Sequence, residues 1–218
     1  MNEYQKINTL YKRDSHKKII IGEFTEPEVE FLKDSKWESL EKVDGTNISL
    51  VWNGIDLNFH GRTKDAETPE MLLETLRKKY KKELFQKVFP LKPLQDSMLV
   101  EIFGEGYGVG INGHEGGGTY LPDSNDFILF DVTIDGWKLL RANCESVAKK
   151  INTNIVKLLG YYTIAEAEEI VKHGFKSAIN PNRVAEGMVL KTPLGLCNRK
   201  GERIMTKIKH RDYKHLKI

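Results

Sequence analysis

The sequence predicts an α+β fold, and three observations predict it. Strand-like and helix-like stretches are both present, but they do not alternate regularly as a repeating βαβ chain would. One pair of strand patterns is joined by a hairpin signal, which points to antiparallel pairing. Two helices carry their own start or stop signals rather than running on from strands.

The elements follow in order. Asn47–Trp52 alternates as a strand, with Ile48, Leu50 and Trp52 on one face. Asn53-Gly54 reads as a hairpin turn into a second strand, Ile55–His60. Thr68-Pro69-Glu70 reads as a helix start: a cap, a proline at the first helical position, then an acid at the positive end of the dipole. That helix is expected to run to about Phe89 and to bury Leu72, Leu76, Tyr80, Leu84 and Val88, with Pro90 and Pro93 ending it. Further strands are expected at Ser97–Phe103, Phe127–Thr133, Gly187–Thr192 and Arg203–Lys209, with Arg141 to about Leu158 helical in part. Thr163–His173 is a helix with a Thr163/Glu166 capping box, stopped by Gly174.

Composition narrows the function classes. The 218 residues are 30% charged, yet the net charge is only +3. The chain is therefore no basic tail, and any nucleic-acid surface has to come from local clustering of charge. Cys144 and Cys197 have no metal-site spacing and suit a reducing, cytoplasmic setting as free thiols. Met1–Leu10 lacks the apolar core of a signal peptide. No apolar run approaches the roughly 20 residues of a membrane span.

The chemistry-bearing segments begin at Lys42-Val43-Asp44-Gly45-Thr46-Asn47. A lysine is a poor nucleophile while protonated, with an ordinary pKa of about 10.4; burial or nearby cations can neutralise it for attack on phosphorus. Asp44 is suited to a metal, and Gly45 to close approach by a ligand. Read alone, the hexapeptide is also an ordinary turn before a strand. Gly61-Arg62-Thr63-Lys64 follows, where Arg62 is suited to fork onto a phosphate or a ribose or else to sit solvated at a strand end. In Phe103-Gly104-Glu105-Gly106-Tyr107-Gly108-Val109-Gly110 a strand feeds a glycine-dense turn. Period 2 sets Glu101, Phe103 and Glu105 on one side, and physics alone does not choose between the two acids. Phe127–Val132 is a nearly continuous apolar strand whose aromatic end can stack on a purine. Glu186–Lys191 starts a strand with an acid and a glycine, and in Met205–Lys209 the two lysines, Lys207 and Lys209, face one way while Ile208 faces the core.

In this order, KVDGTN, GRT, FGEG, FILFDV, EGMVLK and TKIK resemble the motif series of the covalent nucleotidyltransferase superfamily of ligases and RNA capping enzymes. The resemblance spans Glu41–Lys209 and is strongest to ATP-dependent RNA ligases related to the phage double-strand-repair type, through the pattern at Phe103–Ile111 and the GRT after the hairpin. Asp44 departs from the phage type, which has histidine there, and matches DNA ligases, capping enzymes and a related RNA ligase branch. The resemblance implies an adenylation domain of mostly antiparallel sheets flanked by helices around a nucleotide cleft. It implies that Lys42 takes AMP from ATP as lysyl-AMP, that AMP passes to a 5′-phosphate end, and that a 3′-OH displaces it. It implies that Arg62 and Glu105 hold the ribose and phosphate side and that Phe130 stacks on adenine. Glu41, Val43 and Asn47, near the lysine, are implied to complete the nucleotide contacts. Asp44 and Glu186 are implied to engage the water shell of Mg2+ or Mn2+, and Lys207 and Lys209 the α-phosphate.

The expected organisation is one nucleotidyltransferase domain over residues 1–218, with no room for an added OB or C-terminal domain. The expected partners are ATP and nucleic acid, RNA ends ahead of DNA ends, with no membrane and with a separate end-processing or clamp partner completing the grip. Lys6–Asp14, with Lys12 and Arg13, is a candidate for phosphate contact or plain surface charge, and Gly116–Gly118 is expected to be a wide turn. The alternatives are a DNA nick ligase, a GTP-using capping enzyme, and a non-catalytic module that senses nucleotides or binds RNA ends.

Overall fold

The computed structural model describes residues 3–63, 68–93, 95, 97–111 and 117–214. In chain order the elements are β1 (Tyr11–Arg13), β2 (Ile19–Phe24), α1 (Pro27–Phe31), β3 (Trp37–Lys42), β4 (Thr46–Trp52), β5 (Leu57–Gly61), α2 (Glu70–Lys79) and α3 (Lys82–Val88). They continue with β6 (Val100–Gly108), β7 (Asn125–Ile134), β8 (Trp137–Lys138), α4 (Arg141–Lys150), β9 (Asn154–Ile155), β10 (Leu158–Tyr162), α5 (Ile164–His173), β11 (Gly187–Lys191) and β12 (Met205–Lys209). The α+β expectation holds. The chain divides into two compact units: Met1–Tyr4 with Asp44–Val156, and Gln5–Val43 with Lys157–Ile218.

The first unit is built on a sheet in the order β5-β4-β6-β7-β8, with β9 added in parallel to β7. Alternation in β4 puts Ile48, Leu50 and Trp52 into the core, as their period predicts. They pack with Val100 and Ile102 of β6, Phe127, Leu129 and Val132 of β7, Leu72 and Leu76 of α2, Val147 and Ala148 of α4, and Ile151 just after it. Each such side chain contributes about 1.5–3 kcal/mol when fully buried. The buried parity of β7 changes between Leu129 and Val132, because the ladder to β6 jumps from Gly104↔Leu129 to Phe103↔Asp131. Phe130 is the extra residue of that bulge.

Four local expectations are corrected. The β4–β5 connection is four residues, Asn53–Asp56, held by Asn53 Oδ1 accepting from the Ile55 and Asp56 amides, not a two-residue turn. Thr68 is no cap: Pro69 occupies the cap position and α2 begins at Glu70. The long helix is two helices, broken at Tyr80-Lys81 although neither residue is glycine or proline. A helix continued from Leu72 and Leu76 would turn Phe85 and Phe89 off the core face. The break re-phases the chain so that both are buried. Finally, the glycine-dense stretch after Phe103 is not a turn but the second half of β6, paired on both sides as far as Gly106.

The second unit holds an antiparallel sheet in the order β10-β3-β11-β12 and the small β1–β2 hairpin. Its core gathers Trp37, Met188, Leu190 and Ile208 from the sheet with Ile164, Ala167 and Val171 of α5. The α5 start is as predicted: Thr163 Oγ1 accepts from the Glu166 amide and Glu166 Oε2 from the Thr163 amide. Lys36 donates to the same Glu166 carboxylate, and these hydrogen bonds, the Lys36 bond foremost, hold that carboxyl down to about 2. Gly174 ends the helix at φ 79. The segment before β1 runs parallel to β12, with Leu10 donating to the Lys207 carbonyl and Lys207 to that of Asn8. Among the described residues no helix is long and apolar enough to cross a membrane. Cys144 and Cys197 are free thiols.

Candidate active site

In the second unit, strand register gathers three of the predicted residues. Gly187 of β11 pairs with Lys42 of β3 on one side and with Lys209 of β12 on the other. Both lysines lie level on the sheet face opposite Met188 and Ile208, which point into the core. Glu186, one residue before that level, receives them both. Lys42 Nζ donates to Glu186 Oε2 at 2.6 Å, and Lys209 Nζ lies 2.8 Å from Oε1 in an ion-pair contact without hydrogen-bond alignment. The Glu186 side chain is 1% exposed, against 20% for Lys42 and 10% for Lys209. Burial pushes the Glu186 carboxyl up, but the charges of Lys42 and Lys209, with the Lys42 hydrogen bond, outweigh it and hold the carboxyl below its ordinary range. Lys207 stands two residues along the same face of β12, opposite Val189, so the two strand lysines do face one way.

Gly187 makes this spacing possible. A Cβ there would lie 2.0 Å from the Ile208 carbonyl oxygen, at a φ of +152 that favours glycine. Gly187→Ala is expected to push β12 off β11 and to destabilise the fold by more than about 1 kcal/mol. A urea melt measures this, and an unchanged midpoint would show that the strands yield without cost.

Glu41 lies on the other side of β3, in register with Met188. Its buried carboxylate accepts from Ser177 Oγ at 2.5 Å and from the Ala178 amide at 2.9 Å. It therefore anchors the loop before β11, and Val43 is buried beside the lysine.

The remaining predicted residues lie in the first unit. Asn47 pairs across the sheet with Glu105, and Glu105 with Ile128, on the face away from the core. Arg62 is exposed and follows Gly61, which pairs with Ile48; a continued ladder would set Arg62 opposite Asn47. Glu101 and Phe103 share the face with Glu105, as period 2 predicts. Glu101 is buried against Thr133 Oγ1, which donates to it at 3.0 Å, whereas Glu105 is only half-buried at the end of the row. Asp44 is buried, and its amide donates to Tyr120 Oη at 3.1 Å. Tyr107, whose hydroxyl is pushed up to about 12 by burial and by Asp126, packs edge-on against Tyr120. Gly45 is tightly confined by protein rather than left open: a Cβ there would meet the Gly106 carbonyl oxygen at 2.1 Å. Lys64 and Gly116 lie outside the described residues, and Gly117–Thr119 form a single 3-10 turn.

Sequence reasoning missed Tyr4. Its ring lies 4.9 Å from Phe103 and 5.0 Å from Phe130, and its hydroxyl donates to Asp131 Oδ2 at 2.9 Å. It also missed Tyr120, Ser177 and the Ala178 amide. An isolated aromatic or serine far from any motif gives no local signal. Nor does the sequence mark a partner for Glu41, because the strand that carries it beside Lys42 has buried polar residues on it and shows no alternation.

The family model described as RNA ligase matches residues 35–209. No curated protein matches the chain. Among solved structures, a mutant of Naegleria gruberi RNA ligase with ATP and Mn is similar at TM-score 0.64 and 20% identity, over 97% of this chain and 58% of that one. Another mutant of that ligase with AMP and Mn gives TM-score 0.64 at 20% identity, over 95% and 62%. The same ligase with PPi gives TM-score 0.63 at 21% identity, over 96% and 62%. These likenesses establish the fold, and the chain spans between 58% and 62% of the length of those three.

Proposed function

The chain belongs to the RNA ligase family, and from that premise we propose that it is an ATP-dependent RNA ligase working through lysyl-AMP. The observation that carries the reading is the Lys42–Glu186–Lys209 group, with Lys207 beside it on the same sheet face. In the first step Lys42 Nζ, having lost a proton, forms a bond to the α-phosphorus of ATP as the bond to the pyrophosphate oxygen breaks. The AMP next passes to an RNA 5′-phosphate, which regenerates the lysine. A 3′-hydroxyl then displaces AMP and seals the strand. Positioning and neutralisation of spread negative charge dominate such transfers.

In this reading Lys207 and Lys209 meet the α-phosphate. Arg62, Asn47 and Glu105 contact the ribose and phosphates, and Phe130 stacks on adenine. Glu41 and Val43 contribute by holding the lysine strand and its loop. Lys42 Nζ donates to Glu186, so that hydrogen bond has to open before the amine can attack.

The donor set fits a hydrated Mg2+ or Mn2+. Glu186 and Asp44 are carboxylates, the hard oxygen donors such an ion takes, and among the described residues no three metal-binding side chains converge as a dedicated cage would require. Glu186 and Asp44 would hold the ion's water shell, and the ion would supply positive charge to the phosphates. The setting proposed is the cytoplasm, with RNA ends as the nucleic-acid partner.

The test is incubation with magnesium, labelled ATP or GTP, and matched nicked RNA, DNA and hybrid duplexes. A covalent adduct from ATP and preferential sealing of the RNA nick are expected. An adduct from GTP alone would indicate capping chemistry. Better sealing of the DNA nick would move the reading to a DNA ligase, and no adduct at all would leave a binding module.

A further inference from the structure

We propose that the turn joining β1 to β2 grips the phosphate backbone of the RNA substrate; this rests on the RNA ligase reading. The segment Lys12-Arg13-Asp14-Ser15-His16-Lys17-Lys18 holds four basic residues and one acid, so it carries +3, as much as the whole chain. The rest of the sequence is balanced. All seven residues are exposed. The turn is thus a local cluster of the kind a nearly neutral RNA-binding protein requires; the other dense run, Arg77–Lys82, has three of its five basic side chains paired with Glu70, Glu74 and Asp126.

The turn is also prebuilt. Asp14 Oδ1 accepts from the amides of His16 and Lys18, both at 2.9 Å. The Asp14 amide donates to the Lys18 carbonyl, and the Lys17 amide to that of Asp14. Arg13 ties the turn to the body of the unit, donating to the Lys17 carbonyl at 2.7 Å and to Asp212 at 2.6 Å. These bonds hold Lys17 at φ 63, a left-handed conformation that glycine or asparagine would adopt more readily. Arg13 is thus spent on the scaffold and Lys12 faces Glu23. Among the described residues no carboxylate pairs with the ammonium of Lys17 or Lys18. Two cations on a rigid turn with no apolar side chain of its own match a chain of phosphates better than a lipid surface, where an apolar anchor would accompany the charge.

The test uses the full chain as Lys17→Ala/Lys18→Ala and as Lys17→Gly. Equilibrium binding to nicked duplex RNA is followed between about 50 and 200 mM salt, where each lost phosphate contact flattens the log–log slope by about 0.9. A slope shallower by about 2 is expected for the double variant and by about 1 for Lys17→Gly, with self-adenylation of Lys42 unchanged in both. Lys17→Gly is expected to melt higher than wild type while binding RNA more weakly, which a purely structural role for Lys17 would not produce. An unchanged slope in both variants, with wild-type adenylation and RNA sealing intact, overturns the grip alone. A loss seen with phosphatidylserine vesicles but not with RNA also overturns it. A wild-type chain that neither takes up AMP nor binds RNA overturns the ligase reading itself.

Discussion

Replacing Lys42 with alanine is expected to abolish the covalent AMP adduct. With labelled α-phosphate in ATP, the protein-bound label should fall by more than about 10³-fold, as when a nucleophile is removed from a group that acts as a unit. By mass spectrometry the gain of one AMP should vanish. The variant should still fold. Lys209 remains in contact with Glu186, so the loss is about that of one charge-assisted hydrogen bond, roughly 1.5–3 kcal/mol. For a chain of this size that lowers the melting temperature by roughly 2–4 °C per kcal/mol. Lys207→Ala is the companion control: the nucleophile is intact, so label should accumulate more slowly but to a measurable level. Label that persists in Lys42→Ala would assign the adduct to another side chain.

Glu186→Ala is expected to have the largest effect on stability. It removes a carboxylate that is 1% exposed and strands two lysines that are themselves mostly covered. Breaking a buried ion pair by deleting one partner costs about 3–5 kcal/mol, because the remaining charge is left uncompensated. Glu186→Gln keeps the volume and should cost less. The same group adds a pH signature. Its carboxyl is held below the ordinary range when folded and returns to about 4.3 when unfolded. The stabilisation is therefore complete above about pH 4.3 and is lost as pH falls through the lower folded value. The melting-temperature gap between wild type and Glu186→Gln should be full at neutral pH and should close on acidification. A gap that stays constant below that window would show that the two lysines do not hold the carboxylate down.

Legibility differed by element, and the reasons are physical. The strand Thr46–Trp52 and the helix Ile164–His173 were readable because one face of each meets the core and the other meets polar surroundings or carries its own cap. Trp37–Lys42 was not read as a strand, because its alternation is hidden: Glu38, Ser39 and Glu41 are buried along with Trp37 and Leu40. A central strand that serves a site has polar groups on both faces, and these are satisfied from distant segments such as Ser177 and Ala178. The break at Tyr80-Lys81 left no mark either, since it answers the packing of Phe85 and Phe89 rather than any local preference. Phe130 was singled out by type and position, but the bulge that sets its direction depends on register with a strand some 26 residues earlier (Phe103 to Gly104).

What the sequence determined by itself is the inventory: the lysine, acids and paired lysines appear in an order specific enough to identify the family, and the lysine pair faces one way because a strand repeats every two residues. What only the tertiary structure decided is who meets whom. Lys42 and Glu186 are 144 residues apart, and they touch because β3 and β12 both pair with β11 and Gly187 admits the Ile208 carbonyl at close range. Tyr4 reaches Phe130 across a comparable distance in sequence. Contacts of this kind are set by ladder register and by the packing of whole sheets. A local stretch of chain holds neither, so its residues can name the chemistry without stating the partners.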